Sequence, residues 1–272
     1  MPLSLDRIAI EEVGANPERL AAAIISQLPD PTGAVPVYDI ARALDIDEIR
    51  EERLTSFEGC LLTDQHKSRG SILVNASSTP RRRRYTVGHE LGHFLNSRHR
   101  PTAENGFRCT QRDMAEPRGD ERHVRQEREA NVFAIELLAP RSFLKARLAR
   151  SADLEHVVAI SDERDISREA AARRYVSLHH ECLAVIFSRE GKIRYIEKGK
   201  EFPGTRVWIG NTIPSLGESL PDVDRVTSLD EVSAGVWLSN PRDRTLYAQT
   251  LFQRGGFAIT MLLAEDEQAD DE

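Results

Sequence analysis

The amino-acid sequence predicts an α+β fold in two parts: a largely helical first part carrying a small sheet, and a smaller β-rich second part. Three observations lead there. Helical spacing of apolar residues prevails to about residue 180, two short apolar runs interrupt it between Ile49 and Asn75, and strand-like patterning takes over after Glu181.

Residues 17–28, PERLAAAIISQL, have the spacing of a short amphipathic helix. PVYDIARAL at 36–44 forms a second, opened by Pro36, with Val37, Ile40, Ala41 and Leu44 on one face. EGCLLTD and GSILVNA read as strands joined by a polar turn around QHKSRG. GSILVN is either a plain core strand or an edge onto which an extended peptide adds. SSTPRRRRYTVGHELGHFLNSRH opens with a helix-start signal and continues at helical spacing through Val87, Leu91, Phe94 and Leu95. Residues 98–121 lack a period, contain Pro101, Gly106, Pro117 and Gly119, and read as a long loop.

ERHVRQEREANVFAIELLAP (121–140) is the strongest helix, ended by Pro140, with Ala130, Phe133, Ala134, Leu137 and Leu138 on its apolar face; RSFLKARLARS adds another. Residues 153–178 read as two short helices joined by a turn. They resemble a helix-turn-helix with Ser167 as N-cap of the second helix, which either reads DNA or braces its neighbours. CLAVIFSREGKIRYIEKG is a hairpin turning at REGK, and RVWIG, GVWLSN, TLYAQTLF and FAITMLLA are further strands. The acidic end EDEQADDE reads as a disordered tail. The expected divisions are a first domain at 1–140, a helix-turn-helix-like extension at 141–180, a β-rich domain at 181–264 with a sensory role, and the tail at 265–272.

Composition narrows the class. With 40% hydrophobic and 30% charged residues among 272, the chain reads as a soluble globular protein. No apolar run approaches the ~20 residues that span a bilayer, and MPLSLDRIAIEEVG lacks the pattern of a secretory signal, so no membrane role is expected. Cys60, Cys109 and Cys182 are odd in number and far apart, which suits a reducing cytoplasm better than a disulfide framework. The net charge of −7 argues against generic nucleic-acid binding. RRRR at 81–84 is either a phosphate patch or, more plainly, solvated charge or contact with an acidic partner.

His89 and His93 carry the chemistry. Four residues apart on a helix is ~400° of rotation and ~6 Å of rise, so both rings leave one face a turn apart and suit two corners of a tetrahedral zinc site. Glu90 sits ~100° further round, placed to hydrogen-bond a water at that site without displacing it. A catalytic zinc needs a third protein ligand and an open position. His99 is too close in sequence to reach the same metal from a straight helix. Cys109, as a thiolate, would bind or inhibit, but reads as a free loop cysteine. Glu127 and Glu129 lie on the long helix ~200° apart, so both cannot face the metal. Glu127 has Asn131 one turn on, where an amide can fix a histidine tautomer. Tyr85, His99 and His123 are candidates, by residue type alone, for stabilising an oxyanion.

GHELGHFL followed by EREANVFAIELLAP resembles the ImmA/IrrE family of zinc metallopeptidases, in the gluzincin group. The resemblance covers roughly residues 58–140, with Ala139 where the family usually has methionine before the proline. It implies that residues 1–140 form a helical zincin-like metallopeptidase domain with a small sheet. His89, His93 and Glu127 would be the metal ligands, Glu90 the general base and Asn131 a supporting partner. One Zn2+ per chain is expected, with Mn2+ as the alternative. The implied activity is endopeptidase cleavage of a helix-turn-helix transcriptional repressor in stress-response or mobile-element control. The alternative is a metal-containing sensor or DNA-binding regulator without proteolytic turnover; intact Glu90 favours the enzyme, because a purely structural site has no need of it.

Overall fold

The first strand escapes hydrophobic patterning. In β1 (Ile46–Glu52, IDEIREE) only Ile46 is buried, and the backbone pairs along one side only. An edge strand of this kind is held by its ladder rather than by an apolar face. The computed structural model describes residues 3–29, 33–101, 106–114, 118–214, 221–241 and 244–266. Among them the chain divides into two compact units, Met1–Phe143 with Glu163–Ser167, and Leu144–Asp162 with Arg168–Glu272. The fold is a mixed α+β one, a largely helical part with a small sheet and a β-rich part, as the sequence predicts.

In the first unit, three short helices, α1 (Arg7–Glu11), α2 (Pro17–Ile25) and α3 (Val37–Ala43), precede β1, β2 (Gly59–Thr63) and β3 (Gly70–Asn75). The helix α4 (Pro80–Leu95), the strand β4 (Gly106–Cys109) and the helix α5 (Glu121–Leu138) follow. The sheet order is β1-β3-β2-β4, with β1 parallel to β3 and the other pairs antiparallel. GSILVN is therefore an interior strand, and the peptide-adding edge does not lie there. The loop expected at 98–121 contains β4, which sequence periodicity misses because the strand has only 4 residues.

Helix α4 starts at Pro80, with the Thr79 hydroxyl accepting from the Arg82 amide. Every residue from Thr86 to Leu95 is buried, between α5 on one side and the sheet on the other. Gly92 opens no space at the metal face; a Cβ there would meet the Phe133 ring of α5 at 3.0 Å, so its smallness lets the two helices approach. The four arginines of RRRR each lie beside an acidic side chain of this chain. Arg81 and Arg84 pair with Asp165 at 3.2 and 3.1 Å, Arg83 with Glu51 at 3.2 Å, and Arg82 faces Glu58 at 4.0 Å. These carboxylates offset four cations at the positive end of the helix dipole.

Helix α6 (Arg141–Leu148) and helix α7 (Leu154–Arg164) link the units in sequence. The second unit continues with α8 (Arg168–Leu178), β5 (Leu183–Arg189), β6 (Lys192–Lys198), β7 (Arg225–Val226), β8 (Asp230–Val232), α9 (Ala234–Trp237), β9 (Arg244–Gln253) and β10 (Phe257–Asp266). Its sheet runs β6-β5-β10-β9-β7, with β8 also on β9. Ile186, Ile193, Trp237, Leu246 and Leu262 form the centre of its core. RVWIG makes no strand, and Trp208 and Ile209 are exposed. GVWLSN supplies the turn of helix α9 that buries Trp237. Helix α8 packs on β5 and β6 and buries Ala171, Ala172, Tyr175 and Val176, so it lacks the free face of a recognition helix. Glu265 and Asp266 of the expected tail end β10; the rest of the tail lies outside the described residues.

Candidate metal centre

Helices α4 and α5 bring three expected ligands together. His89 Nε2 lies 3.1 Å from His93 Nε2 and 3.2 Å from Glu127 Oε2, and His93 Nε2 lies 3.3 Å from Glu127 Oε1. Atoms bound at ~2.0–2.1 Å in a tetrahedron stand ~3.3 Å apart, so the spacing fits one zinc-sized ion. All three side chains are buried.

Proton placement makes the case stronger. Asn131 Oδ1 is an acceptor, 3.0 Å from His89 Nδ1 and 2.9 Å from the Tyr85 hydroxyl. His89 must therefore carry its proton on Nδ1, which leaves the lone pair of Nε2 in the cluster. His93 Nδ1 lies 3.0 Å from His99 Nδ1, and His99 Nε2 lies 2.9 Å from Glu129 Oε2. Glu129 accepts from His99, which accepts from His93, so His93 also presents a bare Nε2. Burial holds His93 at about 4 and His99 at about 2, against the Glu127 contacts that favour the charged forms, so both rings are neutral at pH 7. Burial pushes Glu127 upward, but its close contacts with the His89 and His93 rings outweigh it and hold the carboxyl below its ordinary range. Two nitrogen lone pairs and a carboxylate thus converge with no proton among them, an arrangement that a cation relieves.

Glu90 completes the centre. It is fully buried, and neither carboxylate oxygen has a well-formed hydrogen bond, although the Cys109 thiol lies close enough to interact with it. Burial raises its pKa well above the ordinary carboxylate value, and the Glu127 charge adds to this. Its space comes from Gly59 of β2, where a Cβ would stand 2.5 Å from Glu90 Oε1.

The remaining candidates sort clearly. Cys109 is no free loop cysteine: it ends β4, is buried, and joins His89, His93 and Glu127 in a group whose ligand atoms all lie within 4.8 Å of one another. Tyr85 supports Asn131. His99 stands behind His93, and its own partner is Glu129. The link between Glu129 and His99 is not visible in the sequence, where helix geometry only turns Glu129 away from the metal. The cue available was a histidine six residues beyond His93, just past the helix end. His123 borders the cluster, with Nδ1 3.8 Å from Glu127 Oε1 and Nε2 3.4 Å from Asp113 Oδ1. A cavity of about 360 Å3, lined by Arg100, Arg122, His123 and Gln126 among others, opens beside it.

Fold and site define the class: a zincin-like α+β domain with a buried group of residues able to hold a metal ion, joined to a β-rich part. Residues 46–176 match the peptidase M78 family, described as the IrrE N-terminal-like domain. The chain carries an IrrE N-terminal-like domain. Among solved structures, a Mycobacterium tuberculosis transcriptional regulator aligns with a TM-score of 0.52 at 12% identity, over 98% of this chain and 96% of that one; the likeness is one of fold. No curated protein matches significantly. Among the described residues, no helix is long and apolar enough to cross a membrane.

Proposed function

We propose that this chain is a zinc-dependent metalloendopeptidase of the cytoplasm that cleaves a helix-turn-helix transcriptional repressor and so switches stress-response or mobile-element genes. The observation that carries the reading is the buried convergence of His89, His93 and Glu127 beside Glu90, whose oxygens have no well-formed hydrogen bond. A structural site would satisfy its buried carboxylates or exclude them; Glu90 is left facing the position where a reacting water belongs.

His89, His93 and Glu127 hold the ion, zinc by preference for nitrogen and carboxylate donors, with manganese the alternative. Zinc supplies a Lewis acid that polarises the scissile carbonyl and makes water a nucleophile near neutral pH. Glu90 takes the proton of the attacking water and delivers it to the leaving amine, and burial raises its basicity toward what a base at neutral pH requires. Asn131 with Tyr85, and His99 with Glu129, fix the two imidazole tautomers. The burial of the site excludes bulk water. The repressor as substrate rests on the motif resemblance and the M78 match. Residues 181–264 would then select the partner or sense an effector, with the helices of 141–180 as their support.

The test is to incubate the zinc-loaded protein with helix-turn-helix repressors of the same cell. Chelator-sensitive cleavage of one of them is expected. Intact repressors throughout, under conditions where the metal stays bound, refute the substrate assignment.

A further inference from the structure

We propose that Cys109 is a fourth ligand, a thiolate that closes the metal site in the resting protein. The inference rests on reading the cluster as a metal centre. Strand register makes the case. Cys109 of β4 pairs directly with Gly59 of β2. Residues directly opposite in an antiparallel pair project to the same face. On that face a Cβ of Gly59 would strike Glu90, so the Cys109 side chain and the Glu90 carboxylate share one side of the sheet, turned to α4. Sγ stands no more than 4.8 Å from the ligand atoms of His89, His93 and Glu127, and all four residues are buried.

A sulfur at its ~2.3 Å zinc bond stands roughly 3.6 Å from nitrogen and oxygen ligands in a tetrahedron. Cys109 therefore reaches the ion by an inward shift on the order of 1 Å, the scale of a side-chain rotation. Strand β4 has 4 residues and pairs, among the described strands, with β2 alone.

Charge permits the closed form. Two neutral imidazoles and one carboxylate leave a divalent ion with one positive charge, which is costly to bury. A thiolate cancels it. On ligation the S–H bond gives way to a sulfur–metal bond, and the proton passes to the Glu90 carboxylate; no electrons change hands. The open form is equally neutral, with the thiol protonated and Glu90 ionised. The closed form fills the water position and occupies the base with a proton, so the peptidase is latent until Sγ withdraws.

Zinc X-ray absorption and the optical spectrum of the cobalt-loaded full chain test this on wild type, Cys109→Ala, Cys109→Ser and Cys60→Ala. Wild type and Cys60→Ala should show one sulfur at about 2.3 Å from zinc and a sulfur-to-cobalt charge-transfer band. Both Cys109 variants should lose both signals, and Cys109→Ala should cleave repressor several-fold faster than wild type. Bound metal with only nitrogen and oxygen neighbours in wild type overturns the inference and leaves the peptidase reading intact. Failure of wild type to bind either metal overturns the reading itself, and the inference with it. If the Cys109 variants do not fold, the wild-type and Cys60→Ala spectra still decide.

Discussion

The two units bury polar side chains to opposite ends. In the second unit Gln249 is buried and saturated: its Oε1 accepts from the Leu154 amide at 2.7 Å, and its Nε2 donates to Asp153 Oδ1 at 3.0 Å and to the Thr227 carbonyl at 3.1 Å. In the first unit Glu90 is buried and makes no well-formed hydrogen bond, while the bare nitrogens of His89 and His93 face Glu127. Buried polar groups are normally paired because an unpaired one costs stability. Gln249 therefore reads as structural glue. Single unpaired atoms also occur at Arg82, Arg83 and Tyr195, but only at Glu90, among the described residues, are both oxygens of a carboxylate unpaired, beside the converging atoms of His89, His93 and Glu127, and such a cluster marks a place where something else is meant to bind.

The contrast can be broken by variants, largest effect first. Glu127→Ala and His93→Ala should weaken metal binding most, since each removes a donor atom from the ion itself. Zinc affinity by chelator competition checks this, and affinity within a few-fold of wild type in Glu127→Ala refutes the ligand set. Adding zinc to metal-stripped wild type should raise Tm, because an ion that binds only the folded state stabilises it; an unchanged Tm under saturating zinc contradicts a site in the first unit.

Next come the supporting residues. His99→Ala, Glu129→Ala and Asn131→Ala should each weaken metal binding by ~10–100-fold, as expected when a ligand loses the partner that fixes its tautomer. His99→Ala with wild-type affinity would dismiss the chain from Glu129 through His99 to His93. The smallest effect on the metal belongs to Gln249→Ala. It should cost about 1–3 kcal/mol of stability in denaturant unfolding by orphaning its partners, and leave zinc affinity unchanged.

Local signals explain what the sequence makes legible. The spacing of His89 and His93 needs only helix geometry, and the helix carrying Glu127 is long and strongly periodic, so ligands and base can be read directly. The β9–β10 hairpin and β5 are apolar enough to stand out. Strand β1 is not legible because an exposed edge strand carries Asp, Glu and Arg where patterning looks for alternation. GVWLSN looks like a strand by composition, yet Trp237 is buried from a helical turn. Cys109, His99 and Glu129 gain their roles from tertiary contacts: strand register sets the first, and the chain's return past the end of α4 sets the other two. The RRRR run is ambiguous in the sequence for the same reason, since its partners Glu51, Glu58 and Asp165 lie far off in sequence.

The central claim is that Glu90 is the working base of a metal held by its neighbours. The most direct measurement compares wild type with Glu90→Gln, determining metal content and repressor cleavage on the same samples. The account predicts about one zinc per chain in both proteins and a loss of cleavage of ~10²–10⁴-fold or more in the variant, the range expected when a general base is removed. Cleavage at the wild-type rate by zinc-loaded Glu90→Gln would contradict it.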